Sequence, residues 1–161
     1  MLSLIKNSLG LKDQETFPVH DSFHADCTLI TTFSATCPEV YSSLKNTIQN
    51  FDDPAKGTYA TKQAYGRQDG SAYIWATRTT PTLHYVDDIE FSIATNPSMP
   101  AGVCNVFARS RSQTQSYKDF NTNYCNMWNV FRSQSLTFVD PPVTNECKWV
   151  PTDPTTTCNT Y

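Results

Sequence analysis

The stretch "LHYVDDIEFSI", residues 83–93, holds three carboxylates in four positions: Asp87, Asp88 and Glu90. Grouped carboxylates can bind a hard cation, exchange protons as acid and base, or hold a positive side chain. His84 is near enough in sequence to act as a base with Asp88 or Glu90, the arrangement of a simple hydrolase. Its plainer reading is an exposed histidine at a strand end. His20, His24, Asp26 and Cys27 form the densest set of potential metal ligands. The two histidines share a face only in a helix. This segment reads as an irregular linker, so no metal is expected. Cys37 at a helix start could carry a lowered thiol pKa, but a disulfide role is simpler. No G-x-S-x-G occurs and the five glycines never cluster, so neither a nucleophile elbow nor a phosphate-cradling loop is present.

The element that must position these acids is a strand. Alternation puts Tyr85, Asp87, Ile89, Phe91 and Ile93 on one face, and Val86, Asp88, Glu90 and Ser92 on the other. The three acids therefore do not converge, which argues against a three-carboxylate metal site. A hairpin folding near Ser98 would set Asp87 opposite Arg109, Ile89 opposite Phe107 and Phe91 opposite Asn105. Asp87 is accordingly expected to be an architectural charge paired with Arg109 or Arg111, with ligand binding by the same pair as the alternative.

Around this strand the other elements can be placed. "CTLITTF" (27–33) is rich in β-branched residues and reads as a strand. Thr36 and Glu39 make a capping box, after which Val40, Leu44, Ile48 and Phe51 recur at helical spacing until "DDP" stops the helix. "TYATKQAY" (58–65) and "AYIWATRT" (72–79) read as a hairpin, and "VCNVFARSRS" (103–112) is a further strand. Residues 119–133 resume a helical spacing through Phe120, Tyr124 and Phe131, although their asparagines make a poor helix by propensity. The order β-α-β-β-β-β-α predicts an α+β domain: an antiparallel sheet of about five strands with two helices on one face. It would span residues 27–135, between an N-terminal arm (1–26) and a Pro/Thr-rich tail (136–161). In the arm, Leu2, Ile5 and Leu9 could line a short helix. Tyr59, Tyr65, Tyr73 and Trp75 are expected on one face of the hairpin, either as a platform for ligands or partners or as core.

The totals limit function. Net charge is −3, which leaves no basic footprint for nucleic acid. No apolar window is long enough to span a membrane, and the apolar run at the start is too short for a signal peptide. Cys27, Cys37, Cys104, Cys125, Cys147 and Cys158 are even in number and contain no C-x-x-C. In a polar chain, 17% charged, this favours disulfides and an oxidising, extracellular home. Six free thiols would instead suit a plastid and an accessory subunit of a membrane complex.

"YVDDIEF", "VFARSRS" and "YKDFNTN" together resemble the domain-of-unknown-function 1499 family, bacterial and plastid-associated, over roughly residues 27–133. The matching residues are Asp87, Asp88, Glu90, Arg109, Ser110, Ser112, Asp119 and Asn123. Gln113 stands where the family has a second arginine, which weakens an anion site. Asn121 replaces a glycine but tolerates the same left-handed backbone. The resemblance implies a fold and no reaction. The expected function is a non-enzymatic structural or protein-interaction module, docking through its arm and tail on copies of itself or a larger assembly, with no cofactor. A carrier of a lipid, sugar or pigment is the alternative.

Overall fold

The computed structural model describes residues 16–161. The expected helix at Leu2, Ile5 and Leu9 lies outside the described residues. Six strands, β1 (Asp26–Phe33), β2 (Thr58–Gly66), β3 (Ala72–Thr79), β4 (Val86–Ala94), β5 (Cys104–Ser112) and β6 (Val143–Asn145), form one sheet in the order β2-β3-β4-β5-β1-β6. Every pairing is antiparallel. The α+β architecture is as expected, with the sixth strand contributed by the tail.

Two helices, α1 (Cys37–Gln49) and α2 (Thr122–Ser133), cover one face of the sheet, and a single turn, α3 (Pro154–Thr157), lies in the tail. The α1 start follows from its capping residues: the Glu39 carboxylate accepts from the Thr36 backbone N–H at 2.9 Å and from its hydroxyl at 2.6 Å. Val40, Leu44 and Ile48 then bury the predicted stripe. In α2 every residue from Asn123 to Phe131 is buried, so packing overrides the poor propensity of its asparagines. Phe131 anchors an aromatic cluster with Phe33, Phe91 and Phe138, at centroid distances of 5.7, 5.8 and 5.7 Å.

All six cysteines are bridged: Cys27–Cys147, Cys37–Cys104 and Cys125–Cys158. The Cys37 thiol is therefore unavailable as a nucleophile, and Cys27 as a metal ligand. Three bridges are consistent with an oxidising compartment. The tail is tied at both Cys147 and Cys158. Among the described residues no helix is long and apolar enough to cross a membrane.

Two expectations about faces need correction. Asp87 does not pair with Arg109 or Arg111; it lies opposite Ser112, while Glu90 lies opposite Arg109 and Asp88 opposite Arg111. The observed register differs from the predicted one by three residues, an odd number, which changes the face that meets each partner. It brings Ile89, Phe91 and Ile93 opposite Ser110, Ala108 and Val106, all buried. The predicted register would have set Ile89 against Phe107, which is exposed. In β2 the register shifts between Thr61 and Gln63, a bulge that reverses the alternation. Tyr59 therefore points to the helices, where it packs on Phe51 at 4.7 Å, while Tyr65 pairs with Tyr73 on the open face. The four aromatics do not share a face.

Candidate functional site

The family-type residues divide between the two sheet faces. Asp88, Glu90 and Arg109 lie on the open face. Trp75 Nε1 donates to Asp88 at 2.8 Å and Gln113 donates to its other oxygen at 3.1 Å. Tyr73 donates to Glu90 at 3.0 Å; burial raises the Glu90 pKa, opposed by Tyr73 and Arg109. Both Asp88 oxygens thus have partners other than His84, which sits in the 80–85 loop with φ 53.

Residues 16–25 lie across this open face instead of extending away. Phe17 meets Trp75 edge-on at 5.6 Å, and Lys62 sits 4.0 Å over the same ring, so Trp75 is buried and offers no free platform. Arg109 donates to the Pro18 carbonyl at 3.2 Å and to Asp26 at 2.9 Å. Arg111 donates to Asp21 at 2.5 Å, a residue that His24 also contacts. The arginines therefore hold the 16–26 segment down. The His24 hydrogen bond, with help from backbone N–H groups and Arg111, keeps the Asp21 carboxyl well below the usual range.

Of the histidine-rich set, only His20 and Asp26 remain together. With Glu146 they place one ligand atom each within 4.8 Å of one another. His20 Nδ1 and Arg109 both bind the same Asp26 oxygen, at 2.5 and 2.9 Å. Arg109 thus already supplies a positive charge to this group.

Asp87, Ser110, Ser112, Asp119 and Asn123 gather on the helix side. Asn126 donates to Asp87 at 2.8 Å and to Ser110 at 3.0 Å; Ser110 donates to Asn123 at 2.7 Å, and Asn123 donates to the Ala25 carbonyl at 3.1 Å. Ser112 lies opposite Asp87 in the β4–β5 register. Asp119 Oδ2 accepts from the Asn123 backbone N–H at 3.3 Å, capping α2. The chain enters α2 through Phe120 and Asn121 at φ 48 and 72. Asn121 adopts a left-handed backbone that asparagine tolerates, whereas Phe120 is a bulky residue in a strained conformation.

A cavity of about 390 Å³ opens at this end of the sheet. Its polar wall contains Asp87, Ser112 and Asp119, and its apolar wall contains Leu83, Tyr85, Val86 and Phe120. No histidine or cysteine lies among the described residues that line it. Burial raises the pKa of both Asp87 and Asp119. For Asp87 the hydrogen bonds from Asn126 and Ser112 and the charge of Arg78 oppose that rise, and the charge of Asp119 adds to it. Asp119 Oδ1 is buried with no hydrogen-bond partner. The arrangement can accept hydrogen bonds and exchange protons at two carboxyls.

Behind Asp87 lies a buried ion pair that the spacing of residues did not point to. Arg78, the register partner of Asp87, is fully buried and pairs with Asp53 at 2.8 Å. Asp53 also accepts from the N–H groups of Ala55 and Gly57, at 3.0 and 2.9 Å. Gly57 must be glycine: a Cβ there would fall 2.5 Å from Arg78 Nε. The Tyr161 ring covers the guanidinium at 4.3 Å. One available signal was Asn123, Asn126 and Asn129 at intervals of three in an otherwise apolar helix, a polar stripe that needs polar partners below it.

No curated protein and no solved structure gives a significant match to the chain. A family model described as "Protein of unknown function (DUF1499)" matches residues 18–140, a span that takes in the whole sheet except β6, both main helices and every wall of the cavity. The chain therefore belongs to that family.

Proposed function

We propose that this protein is a non-enzymatic binding module, a disulfide-braced scaffold that holds a small ligand in the cavity between β4, β5 and the start of α2. One observation carries the reading. A buried acceptor, Asp119 Oδ1, has no partner and stands in the wall of a cavity large enough for a small organic molecule. Three bridges favour action outside the cell. Amide NMR with a fragment library tests the reading: hits should perturb Ser112 and Thr122 saturably, and hits scattered over the surface would refute it. Turnover of ester, glycoside or phosphate substrates that disappears in Asp87→Asn would overturn the non-enzymatic part.

A second reading, docking on a protein partner or on further copies through the arm and tail, is favoured by the exposure of Val139, Val143, Trp149 and Val150 in the tail. Val143→Lys, or removal of residues 1–15, should then lower the mass measured by light scattering. An unchanged mass in both variants would exclude it.

A further inference from the structure

We propose that the ligand of this cavity is an organic cation, an ammonium or amidinium group on an apolar body, bound with its N–H groups on Asp119 Oδ1 and beside Asp87. The proposal rests on the binding-module reading and adds the chemical class.

Asn126 already donates to Asp87, and the Asn123 N–H to Asp119 Oδ2. The unmet need is for a donor, because Asp119 Oδ1 is a buried acceptor without one. Charge points the same way. Buried Asp87 feels both the Arg78 guanidinium, which already binds Asp53, and the like charge of Asp119. A carboxylate or phosphate ligand would add to the repulsion between Asp87 and Asp119, whereas a cation would relieve it. The remaining wall suits an apolar body, with Leu83 and Val86 as aliphatic contacts and the rings of Tyr85 and Phe120 near a positive head. Lys118 also lines the cavity; its exposed ammonium makes no ion pair among the described residues and repels a cationic ligand at the rim.

Binding a cation favours the ionised carboxyls, so it should release protons. Affinity should then rise with pH across the range in which the raised Asp87 and Asp119 titrate.

The test compares phenethylamine, phenethyl alcohol and phenylacetate by amide NMR titration and calorimetry on the full chain. The amine should perturb Ser112 and Thr122 and bind about tenfold or more tightly than the alcohol, the worth of one charge-assisted hydrogen bond. Phenylacetate should not bind. Asp119→Asn should lower amine affinity more than alcohol affinity, with its amide spectrum confirming the fold. Lys118→Gln should instead strengthen amine binding severalfold, which a purely structural residue would not do. Equal binding of the alcohol or acid at the same amides overturns the ligand class but leaves the cavity as a binding site. Silence of those amides toward all three probes overturns both readings.

Discussion

Replacing Asp53 by Asn tests whether the buried Arg78 pair holds the helix layer on the sheet. Both side chains are fully shielded, and Asp53 accepts from Arg78 Nε, Ala55 N and Gly57 N at 2.8, 3.0 and 2.9 Å. An asparagine has one acceptor oxygen, so its amide nitrogen must face at least one of those donors. Arg78 Nη1 and Nη2 make no hydrogen bond, so the mutant retains a buried charge that has lost its paired carboxylate. Removing one partner of such a pair costs about 3–5 kcal/mol. That is a large part of the roughly 5–15 kcal/mol available to a domain. In a chain this long it corresponds to a fall of about 6–20 °C in Tm. The assay is urea denaturation with the disulfides intact, comparing wild type, Asp53→Asn and the double variant Asp53→Asn/Arg78→Met. The double variant removes both charges and should recover part of the loss. A single variant within about 1 kcal/mol of wild type, inside the range of an exposed ion pair, would refute the reasoning. A double variant that loses the sum of two large single effects would refute it equally.

Three other outcomes follow. Asp119→Asn should gain stability over wild type as pH rises: a carboxyl with a raised folded-state pKa favours folding most below its ordinary value, and that advantage is lost as pH climbs through the raised one. The difference, about 1.4 kcal/mol for each pH unit between the folded and unfolded titrations of the carboxyl, is read from urea melts taken between acid and neutral pH. Trp75→Phe keeps an aromatic ring under Phe17 but removes the donor to buried Asp88, and should cost about 1–3 kcal/mol in the same melts. Replacing Cys37 and Cys104 by alanine opens a bridge between residues 67 apart in sequence and should cost about 4 kcal/mol by loop entropy, checked by denaturation of the oxidised protein.

The local grammar of the chain was readable. Thr36 and Glu39 marked the start of α1, its stripe ended near the predicted proline, and β-branched runs marked the strands. The split between Asp87 and the Asp88/Glu90 face also followed from alternation alone. The β4–β5 register did not, because the connection of residues 95–103 is too long for turn geometry to fix it. What selects the register is burial of Ile89, Phe91 and Ile93 with Ala108 and Val106, a constraint spread over both strands. The bulge at Thr61–Gln63 has no strong signal in "TYATKQAY", so the face of Tyr59 was misplaced. Disulfide connectivity is not encoded in spacing. The cavity was not legible because its parts come from the 80–85 loop, β4, β5, the 113–121 connection and the start of α2, which meet only once the sheet is assembled.

The cystine pattern has a bearing on survival among proteases. The Cys27–Cys147 link encloses nearly the whole body, and Cys125–Cys158 overlaps it and continues the enclosure into the tail. A single peptide-bond cleavage anywhere between residues 27 and 158 therefore yields two pieces that stay joined through sulfur. Such a nicked molecule keeps its mass, apart from one added water, until a reductant separates the fragments.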